Sequence, residues 1–197
     1  MKKIAFLIFS CFLLSNCSSN DQEFIEPDSV NDQQPVSYAI EGSEFVKTEI
    51  ILDVGVDING DGVFSTHLSE ETFVCYEGNL RFTETHKIWH PLNDIFEFNI
   101  TDDGNGNLSQ GMNCSHADGA VPKFRQIEDI IEIYYEGFDH VVRGTLSENN
   151  TKLTFAFTFE DLWFFSNNPS TTVNDILRPN GSIEDYEGGA VQIYTKL

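Results

Sequence analysis

Leu153-Thr154-Phe155-Ala156-Phe157-Thr158-Phe159 alternates large apolar with small residues over seven positions. Period two is the signature of a half-buried antiparallel strand, and it places Leu153, Phe155, Phe157 and Phe159 on one face. Shorter runs of the same kind occur at Asn79 to Phe82, Ile95 to Ile100, Glu132 to Tyr135, Val141 to Leu146 and Val191 to Thr195. Upstream, Phe45, Lys47 and Glu49 alternate against Val46, Thr48 and Ile50, and Ile50-Ile51-Leu52 continues in a β-branched run. Turn-forming clusters separate these runs: Asp102 to Asn107, Glu136-Gly137 and Ser147 to Asn150. Eight or so short strands with almost no helical period predict an all-β antiparallel meander closing into a barrel or sandwich. Short helices are expected at Thr66 to Glu71 and Thr171 to Leu177.

Composition bounds the rest. The 197 residues carry 32 Asp+Glu against 11 Lys+Arg, a formal charge of −21. Gripping nucleic acid or anionic lipid through a basic face needs clustered Lys and Arg to neutralise phosphates, so those function classes are excluded. A hydrophobic content of 40% with 17 Phe excludes a wholly disordered acidic chain.

Residues 1–16 read as an address. Lys2 and Lys3 precede the apolar run Ile4 to Leu14. Eleven residues span about 17 Å, short of a hydrocarbon core of about 30 Å. The run is therefore a signal-peptide core, not a membrane span. Leu14-Ser15-Asn16-Cys17 resembles the bacterial lipobox, which implies cleavage before Cys17 and a lipid on its sulfur. Asn16 departs from the usual small residue there. Ser18 after the cysteine implies outer-membrane delivery, leaving open the periplasmic or the surface face. Residues 17–36 then hold five acids, no base and few large apolar groups, which predicts a flexible tether. Residues 37–197 form the single β-rich domain.

Cys11 leaves with the signal and Cys17 takes the lipid, so Cys75 and Cys114 remain. In an oxidising compartment an even pair predicts one disulfide; two free thiols or half of a metal site are the alternatives.

One motif carries chemistry. Asp57-Ile58-Asn59-Gly60-Asp61-Gly62 opens like a D-x-N-x-D-G calcium loop. Ca²⁺ takes six to eight oxygens, and side chains at alternate positions of a tight loop converge three, with Val63 adding its carbonyl. The glutamate that closes such loops at the twelfth position is replaced by Leu68. Ser65 acting through water, and Glu70 or Glu71 from the next turn, are the candidates to close it. The flanks read as strands, and Asp, Asn and Gly are also good turn residues, so an acidic hairpin loop is the competing reading. A calcium ion bound there is structural and weak, with a dissociation constant on the order of 10⁻⁴ to 10⁻³ M. Asp102 to Asn107 is a poorer match and reads as a hairpin turn.

No catalytic motif is found. His67, His86, His90, His116 and His140 are scattered, and no nucleophile elbow or phosphate loop occurs. Glu160-Asp161 beside Trp163 to Phe165 fits a sugar-binding rim, or a strand end or core.

The order of signal and lipobox, acidic tether, strand, Val56 to Gly62, then Cys75 with Leu80-x-Phe82 behind it resembles the lipocalin-like lipoproteins of Gram-negative bacteria. That resemblance implies an aspartate loop joining the first strand to a short helix, a later cysteine after a hairpin, here Cys114, and a final strand over Ala190 to Lys196. The chain departs in lacking a Gly-x-Trp opening strand, and in the long insert from Ser166 to Gly189. Two functions follow as expectations: a lipid-anchored envelope module holding a small apolar ligand in its barrel, or a calcium-stabilised envelope interaction or adhesion module with a filled interior. An envelope protein is the partner in the second case.

Overall fold

The protein is described by a computed structural model. Contacts divide the chain into Met1–Val36 and Ser37–Leu197. The described residues are 37–72, 75–76, 78–89, 94–116, 121–161 and 175–197. Cys17, the tether, His90 and Trp163 to Phe165 lie outside them, as does the chemistry of the His116 side chain.

The domain is all-β and antiparallel. In chain order the strands are β1 (Glu44–Val56), β2 (Ser65–His67), β3 (Asn79–Phe82), β4 (Ile88–Trp89), β5 (Asp94–Asp102) and β6 (Leu108–His116). Then come β7 (Lys123–Ile127), β8 (Ile130–Tyr134), β9 (Val141–Ser147), β10 (Lys152–Phe157), β11 (Asp175–Leu177), β12 (Ile183–Asp185) and β13 (Ala190–Lys196). A four-residue helix, α1 (Leu68–Glu71), follows β2, and residues 159–161 start a second short helix. No helix among the described residues is long and apolar enough to cross a membrane.

Eight strands pair in the order β4-β3-β1-β13-β10-β9-β8-β7. The two ends of that sheet meet: Lys87 bridges Lys123, Ile88 N–H donates to Pro122 O at 3.0 Å, and Phe124 N–H to His86 O at 3.0 Å. The result is an up-and-down, lipocalin-like barrel with a short seam, in which each barrel strand neighbours the next in sequence. Closure removes the unpaired edges that an open sheet exposes. The β5–β6 hairpin and the β11–β12 hairpin stand outside the ring.

Alternation explains which side chains fill the interior. Leu153, Phe155 and Phe157 are buried, as their period predicted. Phe159 is not on that face. β10 stops at Phe157 because Thr158 N–H and Oγ1–H donate to Asp161 Oδ2, at 2.7 and 2.8 Å, and the chain turns. Along β1, a bulge between Lys47 and Glu49 inserts one residue and reverses the parity. Phe45 and Lys47 point inward before it, and Ile50 and Leu52 after it.

Two corrections concern helices. Thr66 belongs to β2, and the first helix covers only Leu68–Glu71. Asp175–Leu177 is a strand paired with β12, so the expected helix over Thr171 to Leu177 is not formed there. Gln110 explains the difference. Its Nε2 donates to Asp175 O at 3.1 Å and its Oε1 accepts from Leu177 N–H at 2.6 Å, which holds that segment extended.

Gly144 of β9 lies opposite Phe155 of β10, and a Cβ there would meet the ring carbons at 2.5 to 2.8 Å. The ring is fully buried and has nowhere to retreat. Gly144→Ala is therefore expected to cost about 1–3 kcal/mol by overpacking, read as a lowered denaturant midpoint at unchanged slope.

Candidate functional site

The Asp57 loop is built where β1 runs out of the barrel at Val56 and the chain turns back as β2. Gly60 and Gly62 take φ values of 75° and 84°, a region in which a Cβ is penalised. Asp57 organises the turn from its first position. Its Oδ1 accepts the N–H of Gly60 at 2.8 Å and of Asp61 at 3.1 Å, and its Oδ2 that of Gly62 at 2.9 Å. Asn59 Oδ1 accepts Asp61 N–H at 2.9 Å, and Asp61 Oδ1 accepts Val63 N–H at 2.8 Å.

Closure comes from α1. Leu68, at the twelfth position, is fully buried in the core, so it secures the helix and offers the loop no oxygen. Glu71, almost wholly buried, turns its Oε2 onto the N–H of Ile58 at 2.9 Å and of Asn59 at 3.4 Å. Glu70 holds the flank: its Oε2 accepts Ser65 Oγ–H at 2.6 Å, and its carbonyl accepts Asn59 Nδ2–H at 3.3 Å. The expected candidates, Ser65, Glu70 and Glu71, thus all reach the loop or its flank. The carboxylates face backbone N–H groups, and among the described residues no three His, Cys, Asp or Glu side chains converge as a metal site requires.

No family model, curated protein or solved structure matches this chain.

Cys75 and Cys114 form the expected disulfide, with Cα atoms 5.2 Å apart. It ties the link between α1 and β3 to β6 of the β5–β6 hairpin. Buried Phe98 and Met112 of that hairpin pack with Ile50, Leu52, Val56, Leu68, Ile176 and Tyr186 in one cluster at the loop end of the molecule. The Asp102 to Asn107 turn is self-contained, as a hairpin turn should be. Asp102 accepts from Gly104 and Gly106, and Asp103 from Asn105 and Asn107. The Asn107 side-chain amide also bonds Asp103 and holds its carboxyl below the usual range.

The barrel interior is aromatic and tightly packed. The Phe45, Phe82, Phe124 and Phe155 side chains are at most 1% exposed. Phe82 meets Phe45 and Phe124 edge-on at 5.9 and 4.9 Å, and Phe155 meets Phe157 and Tyr194 at 5.6 and 6.0 Å. Beside them lies a polar belt that sequence reasoning missed. Lys47, 5% exposed, donates from Nζ to Cys75 O at 3.1 Å and stands 5.7 Å from the centre of the Tyr194 ring. Burial lowers its ammonium to a pKa of about 7. Tyr194 O–H donates to Gln192 Oε1 at 2.6 Å, while the fully buried Gln192 Nε2 has no hydrogen-bond partner among the described residues. The only sequence signal was parity: Lys47 shares the phase of Phe45.

The histidines whose side chains are described, His67, His86 and His140, stand apart from one another. His86 faces Glu41 at 2.9 Å, His140 faces Asp161 at 2.8 Å, and His67 stands 3.6 Å from Glu49.

Proposed function

We propose that this chain is a non-enzymatic, lipid-anchored module of the bacterial cell envelope, whose filled barrel is a rigid scaffold for recognition by its outer surface and end loops. The observation that carries this reading is the interior. Phe82 meets Phe45 and Phe124, and Phe155 meets Phe157 and Tyr194, all in one cluster. Phe45, Phe82, Phe124 and Phe155 are at most 1% exposed, so no water-sized space adjoins their rings. A small apolar ligand, the other expectation from the sequence, needs an aromatic-lined cavity of several hundred cubic ångströms. The signal-like segment and the Cys17 motif supply the anchor in this reading, and the one disulfide fits an oxidising compartment. Native mass spectrometry of the mature chain recovered from cells tests it. Acyl mass on Cys17 with no bound apolar molecule is the expected result, and a stoichiometric apolar ligand reverses the choice.

Within this reading, the Asp57 loop takes a structural calcium ion, for which the supporting observation is Glu71. It brings a buried carboxylate to a loop that lacks its twelfth-position glutamate. With a dissociation constant of about 1 mM, 10 mM Ca²⁺ adds roughly 1.4 kcal/mol, or a few degrees of melting temperature. Asp57→Ala together with Asp61→Ala is expected to abolish that increment. Identical wild-type melting in calcium and in chelator removes the ion from the account.

A further inference from the structure

An open cleft of about 390 Å³ lies on the outer face of the barrel, where β1, β10 and β13 run side by side. Strand alternation builds its floor. Ala156 pairs with Val191 and Phe157 with Ala190, so Ala156 and Val191 point outward while Phe157 and Ala190 are buried. Half-buried Phe159, just past the end of β10, and the exposed side chains of Asp53 and Glu187 also line it. A Cβ on Gly189 would meet Phe157 O at 2.3 Å, so the chain passes β10 here with no side chain to fill the hollow.

The carboxylates of the cleft face no cation. Asp53 Oδ2 accepts Gly189 N–H at 2.6 Å, which fixes that side chain against the start of β13. Neither Asp53 nor Glu187 has a cationic partner among the described residues, and no base lines the cleft. Arg143, one strand beyond β10, is bonded to Glu132 at 2.9 Å. Asp161, which follows Phe159 closely, is engaged by Thr158 and faces His140. The surrounding charge has the same sign as the rim. Residues 53–76, 94–116 and 175–189, which build the loop end around its buried cluster, hold 13 of the domain's 27 acids and one of its nine bases. That base, Arg178, is paired with Glu184. The other 14 acids share the rest of the domain with eight bases.

We propose that this cleft docks an arginine or lysine side chain carried by a basic, extended segment of a partner protein. The alkyl stem lies on Ala156 and Val191, and the cationic head meets Asp53 and Glu187. This rests on the scaffold reading above and names the chemistry of the partner that the outer surface recognises. An apolar floor with carboxylates at its rim matches both halves of such a side chain: the methylene stem packs on apolar surface while the head seeks charge. Phe159 offers the cation a ring as well. A free amine brings one charge, whereas thirteen acids against one base attract a run of cations, which selects a basic segment over a small amine.

The test uses the full mature chain carrying Cys17→Ser, in chelator so that no metal screens the loop end. The probe is a labelled, end-blocked peptide alternating arginine with serine, and fluorescence anisotropy reads its affinity in low salt. Saturable binding is expected, and none for the same peptide with glutamate in place of arginine. Asp53→Asn with Glu187→Gln is expected to weaken binding about tenfold, and asparagine keeps the acceptor for Gly189 N–H, so the fold stands. Ala156→Trp fills the cleft without altering charge and is expected to weaken binding as much. Glu84→Gln with Glu128→Gln removes equal charge from turns at the opposite end of the barrel, and a change of less than about twofold is expected. Absence of binding, equal binding by the cleft variants, or equally tight binding of argininamide overturns the proposal. Acyl mass on Cys17 and the empty interior are read by mass spectrometry of the native protein, so failure of the envelope reading and failure of the cleft are distinguishable.

Discussion

Reducing the Cys75–Cys114 disulfide, or replacing both cysteines by serine, is expected to lower the stability of the domain by about 4 kcal/mol while the barrel keeps its strand pairing. The bridge spans 39 residues of sequence. In the loop-closure account, freeing a loop of that length returns roughly 4 kcal/mol of entropy to the unfolded chain. The native state also loosens in one place. The β5–β6 hairpin belongs to no barrel pairing, and it is held by Phe98, Met112, the Gln110 bonds to β11 and the disulfide. Amide exchange should therefore accelerate in β5 and β6 before it does so in β8, β9 or β10. Thermal melts with and without reductant, with Cys17→Ser present to exclude exchange, supply the measurement. An unchanged melting temperature would mean that hairpin packing alone fixes this end of the molecule.

What could be read in advance, and what could not, follows from where each signal resides. The β10 run was legible because one face is buried and the other wet, so burial writes period two directly into the residues. The same holds for Asn79 to Phe82, whereas in Val191 to Thr195 the strand was legible but its buried face carries Gln192 and Tyr194, with Val191 and Ile193 half-buried on the outward side. β6, Leu-Ser-Gln-Gly-Met-Asn-Cys-Ser-His, alternates large against small residues but places a glutamine and a cysteine among its large ones, so hydrophobicity marks it only weakly, and β5 pairs with it in register from Asp94 to Asp102. The bulge after Lys47 was hidden because one inserted residue needs the partner strand to define it. The segment Asp175–Leu177 looked helical in isolation, and a single side chain from β6 decides otherwise.

The loop shows the same division. Glycines at 60 and 62 and oxygen-bearing side chains at 57, 59 and 61 are local requirements of a tight turn, and all were visible. That Glu71 rather than Glu70 reaches the loop backbone depends on the angle at which α1 leaves β2. That angle is set by burying Leu68, and spacing along the chain does not encode it.

The largest consequence of the hidden bulge is the fate of Lys47. Its folded pKa, about 7, lies below the ordinary lysine value near 10.5 because burial disfavours the ammonium. A group depressed in this way penalises the folded state whenever it is charged. The penalty is fully present below pH 7 and disappears as the pH rises toward the unfolded value, since the unfolded chain binds the extra proton across that window. Wild type is thus expected to gain about 3 kcal/mol between pH 7 and pH 9.5 relative to Lys47→Met, at 1.36 kcal/mol per pH unit. Carboxylates do not titrate in that window, and burial holds Tyr194, Tyr186 and Tyr76 neutral beyond it. Above pH 7 the neutral amine still donates to the Cys75 carbonyl, a bond that methionine cannot make. The variant is accordingly the more stable protein at pH 6 and loses that advantage by pH 9.5. Denaturant titrations of both proteins at closely spaced pH values decide the matter: parallel curves would place the charge of Lys47 in contact with solvent or a counter-ion, and a crossing would place it in the barrel as a charge the fold must neutralise.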